Sequence, residues 1–427
     1  MILYQEKSNE LKNYQQPQNA FLPQRVTIPL CEEYNTVCKT LVKAGDVVSE
    51  GQLIASPASR TKTGIHSSLP GVVESIVNCQ CPNGKTEKGI KIRLTGSFNY
   101  LGKIIPGKNI NSLDASQISE MIFENGVVNT FNTIKAENLG QQIKSFKGHA
   151  LVVRLFDDDT SCITDRLITK FYIKEIFNAA KLISKALARE NILFVKGDSQ
   201  KIEEGLLEEG KDFVYSVNEN RYSCGLKEKI ISGYNKTKNA AFKLSKNDLF
   251  CDASTLYEVY QSVIKGIPSI NKLIHISGNC LKVSCFLNIK IGTSINDIVS
   301  QIGGLIKNPK QVIINGNIRG FSAGSMDMPV TKYVKSIQLS SSKTKSDSVI
   351  YDCINCGNCR FACNAGILPD VIYNDAVNFN ELSDFTKKMI SKCIGCSICN
   401  MVCPARIPLS QMINTMKEEI EIKKEIS

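Results

Sequence analysis

Eight cysteines near the end of the chain stand at spacings suited to metal chemistry. One run reads Cys353-x2-Cys356-x2-Cys359-x3-Cys363, and a second reads Cys393-x2-Cys396-x2-Cys399-x3-Cys403-Pro404. A thiolate at every third residue lets a tight loop wrap three corners of an iron–sulfur cube, with the fourth ligand coming from elsewhere. Structural zinc takes four ligands in separated pairs, so the third cysteine of each run is surplus to it. Disulfides are disfavoured in a chain read as having no secretory signal. The expected cofactors are therefore two [4Fe-4S] clusters. One irregularity is Asn364, where the first run would carry proline; it concerns the turn after the ligand, not ligation.

The second run resembles the Cys-Pro ending of bacterial two-cluster ferredoxins, in which the last cysteine of each run serves the other cluster. That resemblance implies one set of Cys353, Cys356, Cys359 and Cys403 and another of Cys393, Cys396, Cys399 and Cys363.

At 427 residues the chain has room for about three domains, each with an ample core. Hydrophobic content of 42% and charged content of 22% are those of a soluble globular protein. Met1 to Leu22 is polar and lacks the apolar core of a signal peptide, and no apolar run is long enough to span a bilayer. Seventeen cysteines without an export signal point to a reducing cytoplasm, where thiolates serve metals. The net charge of +11 is dispersed and accompanies no nucleic-acid-binding motif, so nucleic acid is not an expected partner. The excess charge suits an anionic membrane face or an acidic electron carrier.

The elements that must position the cysteines read as a multidomain α/β chain. Over 23–100, Val26 to Leu30 is a strand, and Val42 to Ile54 and Ile65 to Ile76 repeat a short-hairpin rhythm. Such paired hairpins resemble the barrel-sandwich fold of biotinyl and lipoyl carriers. Lys62 lacks the flanking residues of a modified lysine, so the domain reads as structural, and His66 reads as a turn residue. Cys79 and Cys81 are too close to serve one tetrahedral metal without strain and stay unassigned. Over 110–268, a continuous apolar strand at Ala150 to Phe156, a helix at Thr164 to Ala188 and a strand at Asn191 to Val195 predict an α/β domain with a parallel sheet. Leu256 to Lys265 begins another helix. Over 270–318, strands at Leu273 to Gly278, Phe286 to Gly292 and Gln311 to Ile314, with a helix capped by Ser294, predict a small separate unit in which His275 is bonded but not catalytic. A polar Ser/Lys tether at 340–348 precedes the cysteine domain, 349–427, which closes on a charged helix from Ser410 to Ile426.

The combined pattern resembles the C subunit of the Rnf-type membrane complex, which couples electron transfer between ferredoxin and NAD to ion pumping. The phrases that carry the resemblance are Leu41 to Ile54, Ile65 to Val73, Tyr260 to Gly278, Ile291-Gly292-Thr293, Met328-Pro329-Val330-Thr331-Lys332 and the paired cysteine runs. The resemblance implies a barrel-sandwich domain, a Rossmann-like domain for flavin and NADH of the kind found in complex I, a β-grasp (SLBB) unit and a helical ferredoxin domain. It further implies a peripheral protein on the cytoplasmic face of the cell membrane, partnered by membrane subunits and by ferredoxin or a similar soluble carrier.

The departures from the family pattern concern one cofactor. The family's Gly-x-Gly-Gly-x-Gly-Phe loop is matched here by Gly126 to Thr133, which lacks the later glycines that let amides approach a phosphate. The family's Asn-Gly-x-Glu-Cys-Glu-Pro stretch is matched by Val153 to Asp159, and its Asn-Val-x-Thr stretch by Asp252 to Thr255. Tyr222, Gly225 and Thr255 still match as remnants of a flavin site. The expectation is an electron-relay subunit that has lost its own FMN and NADH site, weighed against a drifted site that still binds flavin through different residues; no acid–base pair or nucleophile stands out. The alternatives are a soluble NADH-dependent flavin and iron–sulfur reductase, such as a cobalamin reductase, or an architectural subunit that needs its clusters only to fold.

Overall fold

A computed structural model describes residues 10–426 apart from 34–35, 57–62, 82–85, 104, 106, 109–111, 133–136, 203–206, 208–211, 219–221, 239, 343–348 and 379–380. Lys62 and most of the Ser/Lys tether lie outside the described residues. The chain forms two compact units, 2–341 and 342–427.

In the first unit, alternation builds the amino-terminal β-structure. Arg25–Pro29, Thr86–Leu94, Gly71–Gln80 and Val47–Val48 form a four-stranded sheet in that spatial order. Ile28 lies opposite Ile90 and Val26 opposite Ile92, so the period of two sends all four into one core. A second sheet of Lys39–Thr40, Leu53–Ser56 and Ile65–His66 adds Ile54, Ala55 and Ile65 to that core. His66, expected in a turn, is a buried strand residue paired with Leu53.

The next sheet is wholly parallel, in the order Asp212–Val217, Asn191–Gly197, Ala150–Arg154, Leu249–Asp252. Ala150–Arg154 is central and buried at every position, as its continuous apolar run requires. The crossover to its neighbour is the helix Thr164–Leu187, which ends where Ala188 turns left-handed at φ 51°. The helix Ala253–Val263 is capped by Asp252, which accepts from Thr255 N.

A third, mixed sheet runs Gln18–Asn19, Cys285–Lys290, Asn271–Ser277, Ser336–Ser340, Gln311–Ile314, Phe321–Ser322. Ser294 caps its helix Ile295–Gln301, accepting from Asp297 N at 3.0 Å. Ser336–Ser340 lies in the middle of the sheet, so the unit draws in chain beyond 318, and Ser340 closes a strand before the tether. His275 is buried and shares a 2.7 Å hydrogen bond with the Tyr14 hydroxyl.

The second unit is helical: Asn358–Ala362, Pro369–Asn378, Asp384–Lys392, Ile398–Val402 and Leu409–Ile426. Its apolar core is small. Ile367, Ile372, Met389, Ile390 and Ile413 gather around Cys363 and Cys393, and Ala405, Ile407 and Leu409 gather around Cys353, Cys359, Cys399 and Cys403.

Candidate metal centres

The two cysteine runs fold as copies of each other. Asn355 and Gly395 sit at the same place in their runs and both have positive φ, 54° and 62°. Gly357 and Ser397 match likewise at 74° and 56°, and Gly366 and Arg406 at 65° and 58°. Left-handed residues between successive cysteines curl each loop back on itself and bring the sulfurs to its inside. Arg406 is exposed and bears the steric cost of a side chain in this conformation, whereas its counterpart is glycine. Arg406→Gly is expected to stabilise the helical unit by ~0.5–1 kcal/mol, read as a higher urea midpoint.

Each short helix carries one cysteine near its start and ends on another. Cys359 lies in Asn358–Ala362, which stops at Cys363; Cys399 lies in Ile398–Val402, which stops at Cys403. Four residues of helix advance about 6 Å. Cys353, Cys356, Cys359 and Cys403 line one cavity, walled by Ile354, Gly357, Asp370, Pro404, Ala405, Ile407 and Leu409. Cys363, Cys393, Cys396 and Cys399 form the other gathering: burial, then Cys396, Cys393 and Cys363, pushes the Cys399 thiol up to about 12. Burial pushes the Cys393 thiol up as well, with Cys396 and Cys363 adding to it. In the first quartet burial, then Asp370, takes Cys359 up to about 11. Sulfurs crowded in apolar surroundings resist ionisation, and a bound metal centre relieves that by supplying positive charge. Among the described residues, no three His, Cys, Asp or Glu side chains converge on a point that one metal ion could occupy. Four cysteines lining one cavity supply the donor set that a cubane takes, four thiolates.

The other candidate region lies at the carboxyl ends of the parallel strands, where open α/β sheets bind ligands. The three segments that depart from the family pattern meet there. Arg154 and Asp252 are register partners at the ends of adjacent strands, and both are fully buried. Arg154 Nη1 donates to Gly225 O at 2.8 Å, its Nε donates to Phe156 O at 3.0 Å, and its guanidinium stacks 4.3 Å from the Phe131 ring. Asp158 closes an ion pair with Arg319 and lies 3.8 Å from Arg154. Asp252 accepts from Thr130 Oγ1 at 2.9 Å, from Thr255 Oγ1 at 2.6 Å and from Lys335 Nζ at 2.8 Å. Lys335 also donates to Asp165 at 2.5 Å. Burial works against ionised Asp252, but Lys335 and Arg154 outweigh it and hold its carboxyl below the usual range. Burial wins at Asp165, whose carboxyl rises to about 7 despite Lys335. Burial opposes the charge of Lys335 as well, yet Asp165 and Asp252 overcome it and the ammonium pKa rises.

Of the three flavin remnants, Thr255 is buried and bonded to Asp252, and Gly225 is buried against Arg154. Tyr222 is half-buried. A Cβ on Gly126 would stand 2.7 Å from Lys332 Nζ and 2.9 Å from Gly64 O, so this turn is packed tight too. Sequence reasoning singled out Val153 to Asp159 but missed Asp165, Arg319 and Lys335. The available signal was a lone arginine closing an apolar strand and followed by three aspartates, an arrangement that demands buried counter-charge.

Residues 3–97 match the family model for the RnfC barrel sandwich hybrid domain. The C subunit of the Na(+)-translocating ferredoxin:NAD(+) oxidoreductase complex of Acetobacterium woodii is 23% identical over 355 residues, covering 81% of this chain and 80% of that protein. The C subunit of the ion-translocating oxidoreductase complex of Rhodobacter capsulatus is 24% identical over 414 residues, covering 93% and 78%. The chain is similar to the C subunits of such complexes. This likeness runs through most of the chain, not its first domain alone. Among solved structures, the air-oxidized NAD+-reducing [NiFe]-hydrogenase superposes at TM-score 0.47 and 11% identity, over 70% of this chain and 61% of that one.

Proposed function

We propose that this chain is an electron-relay subunit of an Rnf-like redox complex. It holds one [4Fe-4S] cluster at Cys353, Cys356, Cys359 and Cys403 and another at Cys363, Cys393, Cys396 and Cys399. The observation that carries the reading is the crossing of the quartets: each short helix contributes to both sulfur sets, so one turn of helix separates the two sites along either path. Clusters bound there supply one-electron couples. The chain's own part is to exclude water with Ile407, Leu409 and Ile413 and to set potentials through charges and donors beside the sulfurs.

The chain does not hold FMN or NADH. Support comes from the strand-end crevice, where Arg154, Phe131 and the Lys335 ion pairs fill the space with mutually satisfied side chains. The domain ranges 23–100, 110–268, 270–318 and 349–427 then correspond to barrel-sandwich, nucleotide-fold, β-grasp (SLBB) and ferredoxin-type parts, joined by a tether at 340–348. The protein sits peripherally on the cytoplasmic side of the membrane, between a ferredoxin-like carrier and membrane subunits. Among the described residues no helix is long and apolar enough to cross a bilayer, which is consistent with partners supplying the membrane part.

Anaerobically reconstituted full chain is expected to bind about eight irons, with broad visible absorption and no stoichiometric flavin in an acid extract. Stoichiometric FMN would overturn the relay reading in favour of a flavin reductase. About four irons or fewer, or zinc in their place, would overturn the two-cluster assignment.

A further inference from the structure

The two quartets differ in the charges set beside them. Asp370 is 2% exposed and lines the cavity of Cys353, Cys356, Cys359 and Cys403. Its partner Arg360 donates through Nε at 2.7 and 2.6 Å, yet that side chain is 46% exposed and stands outside the lining. The negative end of the pair therefore faces the sulfurs, while the positive end faces water, which screens it.

Beside the other quartet the signs reverse. Lys417 Nζ donates to Cys393 O at 2.9 Å, which puts an ammonium against a ligand residue's own backbone. Gly395 N–H points at Cys393 Sγ at 3.5 Å, and Asn364 Nδ2 lies 4.0 Å from Cys396 Sγ. The residue matching Asn364 in the second run is Pro404, which has neither a backbone N–H nor a side-chain donor. The irregularity in the first run thus adds a side-chain amide donor at the second site. At the first, Cys359 meets backbone N–H groups of Arg360 and Asp370, and the Asn355 amide lies 3.6 Å from Cys353 Sγ through its Oδ1. The asymmetry therefore rests on Asp370 against Lys417, with Asn364 adding to the latter.

Cations and donors near the sulfurs stabilise the more negative, reduced form of a cluster, and a carboxylate disfavours it. We propose that Lys417, with Asn364, raises the potential of the Cys363/Cys393/Cys396/Cys399 site while Asp370 lowers that of the Cys353/Cys356/Cys359/Cys403 site, which gives the relay a direction. This rests on the reading that both quartets hold clusters. One electron leaves the lower-potential couple, oxidising it, and enters the higher-potential couple, reducing it; no bond is made or broken and no proton is required. A one-electron donor protein refills the Asp370 site, and a one-electron acceptor protein empties the Lys417 site. Lys417, Asn364 and Asp370 are positioning residues and not ligands.

The test is an EPR-monitored redox titration of the reconstituted full chain, with bound iron counted first. Two separate couples are expected. Lys417→Gln should lower only the upper couple, changing its reduced-to-oxidised ratio at fixed potential by about tenfold, which is ~59 mV for one electron. Lys417→Arg keeps the charge and should restore the wild-type position. Asp370→Asn should raise only the lower couple and narrow the gap. If either variant loses iron, Asn364→Ala carries the test at the upper couple by a shift to lower potential, and Asp370→Ser at the lower by a shift to higher potential. Coincident couples in the wild type overturn the proposal, as do upper-site variants that leave both couples in place or move the lower one. About four irons or fewer in the wild type would instead remove the two-cluster reading, and the direction with it.

Discussion

Cys396→Ala is expected to reduce bound iron from about eight to about four per chain and to abolish electron transfer through the assembled complex. Cys396 is buried, and without it Cys363, Cys393 and Cys399 are left as a three-sulfur set. The remaining quartet keeps all its sulfurs, so half the visible absorption should survive. The 2–341 unit has its own cores and should melt unchanged, because none of them draws on this cysteine. The readouts separate relay from scaffold. A chain that needs metal only to hold its tail together would lose order around the substituted site, yet the complex would go on turning over. Full complex activity with half the iron would therefore sink the relay reading.

Much of this arrangement was legible in the sequence because local patterns carry it. The strand Gln311–Ile314 falls at its expected bounds, and the helix expected over Thr164 to Ala188 spans Thr164–Leu187. In both, the apolar period is strong enough to set the ends, although the helix kinks at Tyr172, where φ is −132°. The likeness of the two cysteine runs was legible for a different reason: a repeated spacing is a local pattern, and its turns repeat with it. Ser336–Ser340 escaped notice because a five-residue strand of alternating Ser, Ile, Gln and Leu merges into the polar Ser/Lys stretch, and only its parallel and antiparallel neighbours make it a central strand. Gln18–Asn19 likewise becomes a strand only by pairing with Leu287 and Asn288. The buried charges were invisible for the strongest reason. Asp165, Asp252 and Lys335 lie far apart in the chain, and each alone reads as an ordinary surface residue.

That last group supports the second large expectation: Lys335→Met should destabilise the 2–341 unit by ~3–5 kcal/mol. The ammonium is the shared partner of Asp165 and Asp252, both fully buried, so removing it leaves two carboxylates facing each other with Arg154 as the remaining nearby counter-charge, which bonds neither of them directly in the way Lys335 does. Thr130 and Thr255 still bond Asp252, and Ser254 N still donates to Asp165, but these are neutral donors and do not offset the repulsion. The pH dependence follows from the shifts. Asp252 and Asp158 sit below the usual carboxylate range, so the stability they lend is present at neutral pH and is lost as pH falls through their folded values. Asp165 acts oppositely: its folded value is about 7, so its contribution is fullest in mild acid and declines as pH rises towards neutrality. In Lys335→Met the repulsion between Asp165 and Asp252 should make neutral pH the worst condition, and the variant's melting temperature should recover towards about pH 5. The double variant Lys335→Met/Asp165→Leu replaces one ion pair by apolar volume and should regain much of the loss, as buried pairs exchanged for packed side chains often do. Equal melting of Lys335→Met and wild type at neutral pH would mean that water reaches the strand ends. The crevice would then have room for the very ligand that packed charges would otherwise exclude.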